Sequence, residues 1–189
     1  VVAISELIEY YKGIFTTLSS CASRQLEEVT FRRATISVPE LMATAGKYFR
    51  KVYKGNKAHI DFKIQLLEGR ITGDWNQLRF LLENLIDEAC SVTLDGAVCL
   101  SAREDGEFIR FLFTDMRREK TREELNQLFY PDLSRMTAGE KGELYGTEYL
   151  VCKQIIRDHD EFAGRRGCRI NAEPGKEGGF TIYFTLPKK

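Results

Sequence analysis

The sequence predicts an α+β fold, a two-layer sandwich in which a mixed β-sheet carries its helices on one face, preceded by a long N-terminal helix. Three observations lead there. Residues 74–90 place Trp75, Leu78, Leu81, Leu82, Leu85, Ile86 and Ala89 at helical spacing, a helix with one broad buried face. Residues 59–66, 97–114 and 167–186 read as strands that alternate or pair around turns. Strands and helices do not alternate regularly along the chain, which disfavours a doubly wound parallel sheet.

Taken in order, residues 3–28 form one long helix. Ile4, Ile8, Tyr11, Phe15, Leu18 and Ala22 recur at alternating spacings of four and three, and Leu7, Ile14 and Cys21 widen the stripe. Such a seam pairs with another helix, so a homodimer through this segment is expected. A short strand over 34–38 leads to a helix through about residue 52, with Pro39 tolerated in its first turn. Ile60, Phe62, Ile64 and Leu66 share one face of the next strand, which makes His59 a strand residue rather than a catalytic one. Residues 70–73 add a second strand. Asp74 caps the central helix, and Gln77 stands where the reciprocal member of a capping box belongs. Two strands over 97–103 and 107–114 turn at Glu104-Asp105-Gly106. Thr121-Arg-Glu-Glu124 is a capping box that opens a short helix, followed by an aperiodic loop over 131–145. Tyr149, Leu150, Cys152, Ile155 and Ile156 then line a last helix, and a Pro174-Gly-Lys-Glu-Gly-Gly turn joins the two final strands.

Composition narrows the function. Of 189 residues, 43% are apolar and 30% charged, ordinary for a soluble globular chain of one domain plus an extra element. The 28 basic and 28 acidic side chains balance, so no nucleic-acid footprint is expected. No apolar run reaches the roughly 18–20 residues of a membrane span, and no membrane contact is expected of this stretch. Five dispersed cysteines without a paired spacing suit reduced thiols in the cytoplasm, and neither they nor His59 and His159 suggest a zinc site. With no initiating Met and no signal peptide, the sequence reads as part of a longer protein, which leaves room for a membrane anchor elsewhere.

The helix over 74–90 resembles the asparagine-box helix of the histidine-kinase-like ATPases, the fold of sensor kinases in two-component systems. Asp74, Leu78, Asn84, Leu85 and Ala89 fall on that family's pattern, and Glu88 stands in the place of its second asparagine. Phe113-Thr114-Asp115 is similar to the start of the family's first glycine box, with Met116-Arg117-Arg118-Glu119 where glycines would follow. Gly146-Thr-Glu-Tyr resembles the opening of the second glycine box, with Glu148 at its second glycine. The segment from Arg169 to Pro187 follows the family's terminal hairpin. The resemblance implies an ATPase domain over 31–189 and, over 1–30, the second helix of a dimerising, phosphate-accepting hairpin. It also implies ATP and magnesium as cofactors, a response regulator or another signalling protein as partner, and a nucleotide site containing Asn84, Glu88, Asp115 and Gly146. Asp115 would meet the adenine amino group and Glu88 the metal.

The departures decide between two functions. Glu88 can supply oxygen to magnesium, yet with Asp87 beside it brings negative charge to where a triphosphate must approach. Its bland alternative is a solvated acidic helix face. Met116 and Arg117 remove the close backbone approach that glycines allow. Arg117, Arg118, Lys120 and Arg122 either attract phosphate or form a solvated basic loop. Glu148 supplies its own anion at a helix start that would otherwise hold phosphate. These changes favour a degenerate, non-catalytic signalling module, a pseudokinase, with weak or lost ATP binding. The alternatives are an active ATP-dependent histidine autokinase and, more distantly, a chaperone- or topoisomerase-type ATPase.

Overall fold

A computed structural model of the protein describes residues 31–55, 57–129 and 147–189, together with Ile4, Ser5, Leu7, Ile8 and Tyr11. These five are helical, and the apolar side chains among them are exposed, Ile4 by 64% and Tyr11 by 56%. The rest of the helix expected over 3–28, the loop over 131–145 and Gly146 lie outside the described residues.

Strand β1 (Ala34–Ser37) runs straight into helix α1 (Val38–Tyr53). The Ser37 hydroxyl accepts the Glu40 N–H at 3.4 Å and caps the first turn, where Pro39 costs no hydrogen bond. Val38, Leu41, Met42, Ala45 and Phe49 then return to one face at helical spacing and are buried. Strands β2 (Ile60–Gln65) and β3 (Arg70–Gly73) follow, then the central helix α2 (Trp75–Ser91). The hairpin β4 (Gly96–Asp105) and β5 (Phe108–Asp115) leads to the short α3 (Arg122–Gln127), whose Thr121–Glu124 capping box is fully formed. Helix α4 (Thr147–Phe162) and strands β6 (Ile170–Pro174) and β7 (Phe180–Pro187) complete the chain.

The main sheet has five strands in the order β2-β4-β5-β7-β6. Only β2 and β4 are parallel, so the sheet is mixed. Strands β1 and β3 pair with each other in a separate antiparallel ribbon, attached to the main sheet by a bridge between Ile71 and Lys188. Register settles which face is buried. Phe113 lies opposite Leu100 and Ile182, and Phe111 opposite Phe184, so the alternating residues of three strands point the same way. They join the buried residues of α1, α2 and α4 in a single core. Phe111 and Phe184 stack at 5.0 Å in nearly parallel planes, and truncating such a ring typically costs about 3–5 kcal/mol. The strand β2 ends at Gln65, so Leu66 leaves the alternating face it was expected to share and is 62% exposed.

The start of α2 also departs from expectation. Asp74 caps it through a 3.1 Å bond from the Gln77 N–H, but Gln77 returns none to Asp74. The Asp74 N–H instead donates to Nε2 of His159, at 3.0 Å, across 85 positions of sequence. Nδ1 of His159 lies 2.7 Å from the Ile155 carbonyl, so Nδ1 carries the proton and the ring is neutral. The other Asp74 oxygen accepts the Arg32 N–H at 2.8 Å, and the Phe31 ring meets His159 edge-on. This buried joint fastens the segment entering the domain to the start of α2 and the end of α4.

Burial pushes the His159 imidazole below its ordinary range, against the opposing pull of the Ile155 hydrogen bond and the Asp74 charge. The folded state therefore demands the neutral ring, while the unfolded chain takes up a proton near pH ~6.5. The stability His159 contributes is complete above that value and is lost as pH falls towards the lower folded-state value. Urea unfolding at pH about 7.5 and about 5.5 should show the protein weaker at the lower pH, and His159→Gln should flatten that difference.

Candidate functional site

Strand parity creates the central problem of the site. Phe111 and Phe113 face the core, and so does Asp115 two residues on, only 1% exposed. A carboxylate on the core face is costly unless paired and hydrogen-bonded. The next residues turn back to pair it. The Met116 N–H donates to the Ala97 carbonyl at 3.0 Å, holding the turn against β4. The Arg117 N–H and Nε then donate to Asp115 Oδ1 at 3.0 and 2.9 Å, and its Nη2 to Oδ2 at 2.8 Å. The same guanidinium donates to the Ala89 carbonyl at 2.7 Å and the Leu94 carbonyl at 3.2 Å. It thus satisfies a carbonyl in the last turn of α2, where a cation also suits the helix dipole, and another in the loop that follows. No part of the Arg117 side chain is exposed.

Two glycines make room for this arrangement. Gly96 has φ +136°, and a Cβ there would lie 2.8 Å from Cγ of Arg117. Gly179, at φ +70°, packs its backbone on the carbonyl of Asp115 and on Met116, where any side chain would collide.

Arg118 extends the pairing to α2. Its Nε and Nη2 donate to Asp115 Oδ2 at 3.1 and 3.0 Å. Its Nη1 and Nη2 also grip Glu88 Oε1 and Oε2 at 2.9 and 2.7 Å, a bidentate pair. The guanidinium carbon sits 5.3 Å from the centroid of the Phe180 ring. Burial, and then the Glu88 charge, push the hydroxyl of Tyr149, near the start of α4, well above the ordinary range. Burial alone would raise the Asp115 carboxyl, but the Arg117 hydrogen bonds and the Arg118 charge hold it below the usual carboxylate range.

Of the residues expected to form a site, the structure brings Glu88 and Asp115 together on either side of Arg118. Asn84, one turn before Glu88, uses its amide to donate to the Phe80 carbonyl at 2.8 Å. Asp87 faces α1 and accepts the Tyr48 hydroxyl at 2.8 Å. Gly146 and the side chain of Glu148 lie outside the described residues. Two residues of the basic run after β5 take neither form expected of it, while Arg122 is exposed. Arg117 and Arg118 neither form a solvated loop nor offer free charge to phosphate; they fold inward onto carboxylates. Strand parity was the available signal, because it already aimed Asp115 at the core and two arginines follow at once.

Residues 73–189 match the family described as histidine kinase-, DNA gyrase B-, and HSP90-like ATPases, which takes in α2, the whole cluster and the final hairpin. The chain belongs to that family. Along 92% of its length it is also 26% identical to the adaptive-response sensory kinase SasA of Thermosynechococcus vestitus, of which it spans 44%. Its fold is that of histidine kinases. The histidine kinase AdeS of Acinetobacter baumannii superposes with a TM-score of 0.66 at 13% identity, covering 95% of this chain and 79% of that one. The kinase ThkA, in complex with the response regulator protein TrrA, gives 0.62 at 18% identity, covering 98% of this chain and 52% of that one. Among the described residues of this ATPase-family domain, no helix is long and apolar enough to cross a membrane.

Because Asp115 is buried and Arg117 is its nearest counter-charge, removing the guanidinium leaves an under-compensated carboxylate on the core face. Arg117→Met, which keeps much of the volume, should cost about 3–5 kcal/mol in urea unfolding. A loss below about 1 kcal/mol, the worth of a surface ion pair, would show that Asp115 is not held as described.

Proposed function

We propose that this chain is a signalling module that keeps the ATPase-family fold with its nucleotide site closed by its own side chains. It acts through dimerisation and partner contacts rather than phosphoryl transfer. The observation that carries the reading is the Arg118 bridge between Glu88 and Asp115. Asp115 is the group expected to receive the adenine amino group, yet its two oxygens already accept five N–H bonds. An ionised carboxylate offers about four lone-pair sites, so none is left for a base. Glu88, the group expected to hold magnesium, has both oxygens in the Arg118 fork. A magnesium nucleotide would have to displace a half-enclosed guanidinium and leave two carboxylates without it. The residues present therefore do not fit the cofactor that the family implies. Glu148 adds an anion at the start of α4, where a phosphate would otherwise find free N–H groups.

The alternative is an active histidine autokinase domain. It is favoured by the family itself, whose members are ATPases, and by the order of elements around Asp115 and Gly146. A response regulator is a partner consistent with either reading, since the fold of ThkA meets one in its complex. The exposed Ile4, Leu7, Ile8 and Tyr11 support pairing with a second copy through the N-terminal segment.

Calorimetric titration with ATP and magnesium separates the two. The module should give no saturable heat at micromolar to low millimolar nucleotide, and a micromolar dissociation constant would restore the enzyme. In the double variant Glu88→Asn with Glu148→Gly, two negative charges go and one glycine returns, so affinity should rise; a fall would assign those carboxylates to a working site. The same samples should scatter light as dimers, and Ile8→Glu with Tyr11→Glu should reduce them to monomers.

A further inference from the structure

Resting on the reading that Mg-ATP does not occupy this cleft, we propose that the cleft has become a guanidinium-binding site and that Arg118 is its resident, tethered ligand. The contacts select this group by shape as well as by charge. Glu88 takes one edge of the guanidinium plane through a two-point fork, Nη1 to Oε1 at 2.9 Å and Nη2 to Oε2 at 2.7 Å. Asp115 Oδ2 takes the adjacent edge through Nε at 3.1 Å and Nη2 at 3.0 Å. Four of the five N–H groups of the side chain are thereby used, in a planar pattern that an ammonium cannot reproduce. The ring of Phe180 lies 5.3 Å from the guanidinium carbon. Phe180 is itself 2% exposed, so it is a fixed wall of the cleft and not a mobile surface ring.

The walls come from separate parts of the chain: Glu88 from α2, Asp115 from β5, Phe180 from β7 and Tyr149 from α4. Arg118 reaches Glu88, Asp115 and Phe180 directly. A ligand that joins separate elements in this way stabilises the folded arrangement by mass action, and tethering makes its occupancy independent of concentration. Arg117 pairs with Asp115 independently of Arg118, so removing Arg118 should leave Glu88 without its two-point partner, the place that a single guanidinium would refill.

The test empties the cleft and refills it from solution. In the full chain, Arg118→Gly should melt below the wild type, and millimolar propylguanidinium should raise its melting temperature by several degrees with saturation. Propylammonium at equal ionic strength should not do so, and the wild type, its cleft already filled, should show no rise with either. No response, an equal response to the ammonium, or the same response in the wild type would overturn the proposal. Should Arg118→Gly fail to fold alone, recovery of its circular dichroism on adding propylguanidinium supports the proposal, and no recovery opposes it. Arg118→Met fills the space without the hydrogen bonds. It should melt well below the wild type and ignore the probe, whereas wild-type melting would reduce Arg118 to a packing role. Titrating the wild type with Mg-ATP keeps the two ideas apart. Binding there overturns the reading on which this inference rests, while failed rescue without ATP binding overturns this inference alone.

Discussion

One buried negative charge organises this end of the molecule. Asp115 points into the core because β5 alternates and its partners on β4 and β7 fix the register. Moving it outward would turn Phe111 and Phe113 to solvent as well, since a slip of one residue reverses every side chain on the strand. The charge must therefore be met where it stands. Arg117 meets it from within, Gly96 and Gly179 clear the space, and Arg118 carries the compensation across to Glu88 on α2. Two carboxylates and two guanidiniums balance, and their donors and acceptors are shared out among fixed elements. A buried network of this kind gives less net stability than its Coulombic attraction suggests, because four ions are desolvated to form it. Breaking it is another matter, since each member left alone bears the whole desolvation cost.

On the proposed reading, that asymmetry also makes a nucleotide an unequal competitor for this site. A diffusing ligand loses translational and rotational freedom on binding, whereas Arg118 stands three residues from Asp115 and is always present. In a glycine-rich turn the backbone after the aspartate would be bare and could approach a ligand. Here the turn carries two long cationic side chains, and the close backbone approach at this strand end is made by Gly179 from the neighbouring hairpin. On that reading, the position expected to meet a base is taken by Arg117 and Arg118, which follow closely on Asp115.

The general architecture was legible in the sequence because its signals are local. The apolar spacing from Trp75 to Ala89, the Thr121–Glu124 box and the turn residues at Glu104-Asp105-Gly106 each report on a few adjacent positions, and the elements form where they indicate. What was not legible depends on pairs far apart in the chain. Nothing local marks His159 as the acceptor for the Asp74 N–H, so Gln77 looked like the reciprocal cap when a residue 85 positions away takes that role. The separate β1–β3 ribbon is likewise a matter of long-range pairing. At the candidate site, Glu88 and Asp115 stood out by type and position, but Arg117 and Arg118 looked like an ordinary charged turn. A run of Arg and Lys has the same composition whether it is solvated or folded inward, and only the three-dimensional placement of the carboxylates distinguishes the two.

The most direct measurement is a crystal structure of the protein grown with magnesium and a non-hydrolysable ATP analogue at high concentration. It should show the Arg118 guanidinium seated between Glu88 and Asp115 over the Phe180 ring, with no nucleotide in the cleft. An adenine hydrogen-bonded to Asp115, with Arg118 swung out of the cleft, would contradict the account.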